Sequence, residues 1–143
     1  MLDPNFFDRV FNGNDDGEFE ETTYTTRELK FKYSFKMEMW KKTVLDYMYF
    51  KDKFVKAFLS MDEELNRAEL EETGTLISFS KAWNYIQDID FDDEEWIKAI
   101  YLSSGDEFEY SLELGIKYFE SLEEYEKCAI LLKILKESEK FSI

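Results

Sequence analysis

The chain has 143 residues, 44% of them hydrophobic, with 14 Phe, 9 Tyr and 3 Trp, no histidine and a formal charge of −15. That length suits one domain able to bury roughly two-thirds of its unfolded surface, and such aromatic bulk excludes a wholly disordered acidic chain. The charge opposes direct contact with nucleic acid or anionic lipid, the single Cys128 excludes an intrachain disulfide and fits a reducing, cytoplasmic setting, and the lack of histidine removes the commonest general base and metal ligand.

The start, Met1-Leu2-Asp3-Pro4, has neither the basic nor the apolar stretch of a signal peptide, and the longest apolar run is Cys128 to Leu132. Neither export by the common route nor a membrane span is expected. Asp3-Pro4 can open a short helix with Phe6, Phe7, Val10 and Phe11 on its apolar side, closed by the turn composition of residues 12–17. Glu18 to Tyr24 has the threonine and aromatic content of a strand. Leu29, Phe31, Tyr33, Phe35, Met37 and Met39 then alternate with Lys30, Lys32, Ser34, Lys36 and Glu38, the period of a half-buried strand. These two stretches predict a β-hairpin over about residues 18–39, with Glu18 and Glu20 opposite the lysines. A competing helix signal, the capping box Thr25-x-x-Glu28, is outweighed here by the length of the alternation.

From about Thr43 the period becomes helical, through Leu45, Met48, Val55, Phe58 and Leu59, and ends near Ser60. A second helix, Glu63 to Glu72, is poor in apolar residues and is expected to be exposed and to stop at Gly74, with Leu76 to Phe79 a short strand or linker. Four further helix starts follow: Ser80, Asp92-x-x-Glu95, Ser104-x-x-Glu107 and Ser121-x-x-Glu124. No Gly/Ser-rich linker divides the chain. The expected fold is therefore α+β and predominantly helical, one domain over 1–143, with an N-terminal β-hairpin packed on four to six short helices spanning about 43–138.

The charge is segregated. Residues 1–26 carry seven acids against Arg9, residues 27–87 ten acids against eleven bases, and residues 88–143 sixteen acids against six lysines. Within the middle, Arg27, Lys30, Lys32, Lys36, Lys41, Lys42, Lys51, Lys53 and Lys56 form a basic band, for which pairing with the acidic ends is the simplest account.

Specific catalytic motifs are missing: there is no Walker loop, dinucleotide glycine fingerprint, Gly-x-Ser-x-Gly elbow or Cys-x-x-Cys pair, so no cofactor is implied. Cys128 sits on an apolar helical stripe with Ala129 and Leu132, where an inert buried thiol is expected. Carboxylate chemistry with Mg²⁺ could use Asp15 or Asp16 with Glu28-x-Lys30 on the long strand, a spacing that an acidic chain matches by chance. Asn12 to Thr23 and Asp88-x-Asp90-x-Asp92 each resemble part of a calcium loop. The first lacks the closing glutamate and the second the sixth-position glycine, so a polar turn and a helix start are the simpler readings.

Leu114-Gly115-Ile116-Lys117-Tyr118-Phe119 followed by Glu124-Tyr125-Glu126-Lys127-Cys128-Ala129 resembles the Leu-Gly-x-x-Tyr and Tyr-x-x-Ala pattern of a tetratricopeptide helix pair, without its leading Trp and without a second copy at the expected period. The resemblance implies an antiparallel helical hairpin.

The acids Asp92, Asp93, Glu94, Glu95, Asp106, Glu107, Glu109, Glu113, Glu120, Glu123 and Glu124 are the candidate partner-binding residues, with Trp96, Tyr101, Phe108 and Tyr110 as candidate apolar anchors. Carboxylates on short helices can line up as phosphates line a groove, and the plain alternative is the solvated face of amphipathic helices. The expected function is a non-enzymatic, monomeric or weakly dimeric acidic protein that inhibits or modulates a protein partner with a basic site, with nucleic-acid mimicry as its most specific form. Small counter-defence proteins of phages and immunity proteins of toxin systems have this general character. A structural or assembly subunit is the second reading and an Mg²⁺-dependent carboxylate enzyme the third.

Overall fold

The computed structural model describes residues 26–141 of the chain. Five helices follow in order: α1 (Thr26–Met61), α2 (Arg67–Ile86), α3 (Glu94–Ser103), α4 (Asp106–Ser121) and α5 (Tyr125–Glu139). The described part is 83% helical and contains no strand, so the α+β expectation is corrected to all-α there. Residues 18–25 of the expected hairpin, the short N-terminal helix and the calcium-like stretch from Asn12 to Thr23 lie outside the described residues.

The strand expected at Leu29 to Met39 is the first half of α1, and Trp40 explains why. In a strand Met37 and Trp40 would point to opposite faces, because their positions differ by an odd number. Both are fully buried, and with Tyr33 and Val44 they follow the i, i+4, i+7, i+11 spacing of one helical stripe. The alternation is broken instead: Phe35 is 58% exposed. Tertiary burial of the helical subset therefore overrides the period-two pattern, and the helix start agrees with the signal that Thr25-x-x-Glu28 carries in the sequence.

The second correction concerns Gly74. The helix expected to stop there continues as α2 to Ile86, so Leu76 to Phe79 and Ser80 are helical. Gly74 is a packing position, where the Tyr47 ring comes within 2.9 Å of the site a Cβ would take. The Tyr47 hydroxyl sits 2.9 Å from both the Glu71 carbonyl and the Thr75 hydroxyl. α1 and α2 form an antiparallel pair, as shown by Phe35 against Tyr85, Trp40 against Phe79, Tyr47 against Gly74 and Asp52 against Arg67.

The core gathers Met37, Trp40 and Val44 of α1, Phe79, Trp83 and Ile86 of α2, Trp96 and Ile100 of α3, Phe108, Leu112 and Phe119 of α4, and Leu131, Ile134 and Leu135 of α5. α1 is the central element, packed against α2, α3 and α4, and α5 closes over α4 and α3. α4 and α5 run antiparallel: the Cys128 thiol donates to the Ile116 carbonyl at 3.5 Å, and Gly115 lies against Leu131. This is the helical hairpin that the tetratricopeptide-like pattern implied. Its start differs in detail, since Ser121 is the last residue of α4 and the turn is made by Leu122 to Glu124, with Glu123 at φ 60°.

Candidate protein interaction surface

Most of the candidate acidic residues of the C-terminal half fall into three groups set by helix ends, with Glu113 midway along α4. The first surrounds the start of α3. Asp93, not Asp92, is the cap: its carboxylate accepts from the Glu95 backbone N–H at 2.9 Å, and the Tyr33 hydroxyl donates to it as well. Asp90 accepts from the Asp92 backbone N–H, and Asp88 pairs with Lys36 at 2.9 Å. The ammonium of Lys36 lies 5.6 Å from the centre of the Trp96 ring, which in turn stacks on Tyr33 at 4.2 Å. Glu95 has one oxygen 3.5 Å from Lys98 and the other buried without a partner, while Glu94 faces solvent. Asp88 and Asp93 thus tie α1 to the α3 entrance, while Asp90 braces the turn before it, and burial together with Asp93 pushes the Tyr33 phenol above its ordinary range.

The second group opens α4. Asp106, Glu107 and Glu109 occupy its first turn, where carboxylates complement the partial positive charge of a helix N-terminus. Gly105 is the capping residue in place of Ser104, which terminates α3 and donates to the Ile100 carbonyl. The third group, Glu120, Glu123 and Glu124, lies at the far end of α4, where Glu124 pairs with Lys127 at 3.3 Å. Lys127 also sits over the Phe119 ring at 4.9 Å.

A rise of 1.5 Å per residue separates Glu107 from Glu120 by about 20 Å, so the eleven acids do not make one patch. Four of them share a stripe. Asp106, Glu113 and Glu120 stand on one side of α4 at seven-residue spacing, with Glu109 on its flank. That side is turned away from Phe108, Leu112, Gly115 and Phe119, which are buried. Tyr110, 46% exposed, lies between Asp106 and Glu113 on the same side, and Lys117 lies between Glu113 and Glu120.

The expected anchors separate clearly. Trp96 and Phe108 are core residues at 2% and 0% exposure, leaving Tyr101 and Tyr110 at the surface. Tyr101 makes an edge contact with Phe141. The basic band lies on α1. Lys36 reaches an acid of the C-terminal half, whereas Lys41 and Lys42 pair locally with Glu38 and Asp46 within the helix.

The Glu28-x-Lys30 candidate for metal-assisted chemistry is on a helix rather than a strand, and Asp15 and Asp16 lie outside the described residues. Among the described residues no group of three or more Cys, Asp or Glu side chains could hold a metal ion. No described helix is long and apolar enough to cross a membrane. No protein-family model matches the chain, and no curated protein or solved structure is significantly similar to it.

Proposed function

We propose that this chain is a non-enzymatic binding protein that acts in a reducing, cytoplasmic setting as a monomer or weak dimer, and that docks the outer side of α4 into a basic site on a protein partner. The observation that carries this reading is the stripe of Asp106, Glu109, Glu113 and Glu120 around the exposed Tyr110. A partly exposed tyrosine amid carboxylates supplies both parts of a charged interface: an aromatic anchor for residence and a field for encounter. Nearly one carboxylate per helical turn over about 21 Å also approximates a line of phosphates, which favours a partner whose own ligand is a nucleic acid.

Capture of partners from a lysate with the intact chain, against the fourfold variant Asp106→Asn, Glu109→Gln, Glu113→Gln, Glu120→Gln, tests it. A partner retained at low salt, lost at high salt and not retained by the variant supports the reading. Equal capture by both chains removes the α4 stripe from the interface.

A further inference from the structure

The outer side of α5 is uncovered among the described residues, and we propose that it pairs with the same side of a second copy of this chain, antiparallel and centred on Ala129. α3 and α4 pack on the inner side of α5, where Leu131, Ile134, Leu135 and Ser138 are buried. Tyr125, Ala129 and Leu132 follow the i, i+4, i+7 spacing of one stripe on the opposite side, with Tyr125 62% and Leu132 43% exposed. Glu126, Lys133 and Lys136 are exposed along the same side. The stripe is therefore apolar at its centre and charged at its edge, the pattern of helices that pair through one face.

Charge names the occupant and its direction. The whole chain stands at −15 and α4 carries five acids against Lys117, but α5 carries three acids against three lysines. Two copies that meet along α5 thus bring together helices without net charge. The charges on its outer side are also ordered, Glu126 three residues before Ala129 and Lys133 four residues after it. A two-fold axis at Ala129 reverses the second helix, so Glu126 of each copy comes opposite Lys133 of the other, and Tyr125 opposite Leu132. A parallel pair would instead set Glu126 against Glu126 and Lys133 against Lys133. Neither Glu126 nor Lys133 has an ion pair among the described residues, and the centre of the Phe91 ring lies 4.4 Å from the Lys133 ammonium and holds it in place. Ala129, small and exposed, lets the two helices approach closely where they cross. One helix face is a small interface, so the pair is weak, and it needs nothing from the α4 stripe.

Sedimentation equilibrium of the full-length chain in reducing buffer, from micromolar to millimolar concentration, tests the proposal. The average mass is expected to rise from 17.3 kDa toward twice that value. Glu126→Lys and Lys133→Glu are each expected to weaken dimerisation by about tenfold, and the double swap to restore it. The single swaps move the net charge in opposite directions, so general repulsion alone would have Glu126→Lys strengthen the pair and Lys133→Glu weaken it. A chain that stays monomeric at millimolar concentration overturns the proposal. So does a dimer that Glu126→Lys strengthens, that both single swaps leave unchanged, or that the double swap fails to restore, because the contact then lies elsewhere.

Discussion

The indole N–H of Trp40 donates to the Ser111 hydroxyl across 3.1 Å in the centre of the core, and Ser111 donates onward to the Phe108 carbonyl at 2.6 Å. The serine is fully buried, so both ends of this relay depend on it. Ser111→Ala strands the indole donor of α1 against α4 and is expected to lower unfolding free energy by about 1–3 kcal/mol in urea titration. In a Trp40→Phe background the same change is expected to cost less, with a coupling of about 1 kcal/mol. Equal costs in the two backgrounds would show that the bond contributes nothing.

Two glycines inside helices should respond differently to alanine. At Gly115 an added Cβ meets Trp40 carbons at 2.7 Å and Leu131 at 2.9 Å, all core atoms with nowhere to move. At Gly74 it meets the outer end of the half-buried Tyr47 ring at 2.9 Å, which can swing toward solvent after giving up its bonds to Glu71 and Thr75. Gly→Ala gains up to about 1 kcal/mol of helix propensity at either site. Overpacking costs about 1–3 kcal/mol, so Gly115→Ala is expected to be clearly destabilising and Gly74→Ala close to neutral by thermal melting. The reverse order would mean that the α1–α4 seam is looser than its distances imply.

The last three helices were legible because their starts and apolar spacing agree: α3, α4 and α5 begin within a few residues of the expected caps, although Trp96 and Phe108, candidate anchors in the sequence, are core residues. The first half of α1 was not. Six apolar residues in perfect alternation carry no information on which of them have partners, and only packing shows that Met37 and Trp40 bury while Phe35 does not. Gly74 failed for a related reason. Its neighbour Tyr47 is 27 positions away, and no local rule distinguishes a helix-ending glycine from one admitting a ring. Of the acids, composition showed only that they concentrate in residues 88–143 and could not separate Asp93, consumed in capping α3, from the outward side of α4.

Tyr33 and Tyr118 should titrate late. Burial raises the Tyr33 phenol first, followed by the charge and hydrogen bond of Asp93; burial raises Tyr118 first, followed by Glu124. Each folded-state value then exceeds the unfolded one, near 10. The stabilisation is complete below that pH and is lost as pH rises through the folded values, because the native state then holds protons that the unfolded chain has released. Phenolate absorbance at rising pH is expected to show two late tyrosines that ionise with unfolding, and Tyr33→Phe should remove one. A Tyr33 that ionises with the bulk of the tyrosines contradicts the Asp93 contact.

Cys128 is half-buried rather than enclosed, yet should remain sluggish. Burial raises its thiol, with Glu120 and Glu124 adding to the effect against its own backbone hydrogen bond. Since the thiolate is the reactive form, maleimide labelling near neutral pH is expected to be much slower than for the urea-unfolded chain, and to be accelerated by Glu120→Gln. Labelling at the unfolded rate would show that the α4–α5 seam opens readily.

The two acidic helix starts give opposite predictions. Asp93→Ala removes the carboxylate that caps α3 and receives the Tyr33 hydroxyl, and is expected to cost about 1–2 kcal/mol. The fourfold α4 variant loses the favourable placement of Asp106 and Glu109 in the first turn, about 0.3–1 kcal/mol each, but relieves like-charge neighbours at Asp106–Glu109 and Glu109–Glu113. These terms nearly offset, so its stability should stay within about 1 kcal/mol of the parent, leaving a folded protein whose binding can be measured. Charges at an interface rim act chiefly on encounter, so the fourfold variant should associate more slowly and with a flatter salt dependence, whereas Tyr110→Ala should leave association alone and speed dissociation. Stopped-flow kinetics with the captured partner separate the two steps. Unchanged association and salt slope in the fourfold variant would leave the α4 carboxylates as solubilising charge, and unchanged dissociation in Tyr110→Ala would remove the tyrosine as the anchor.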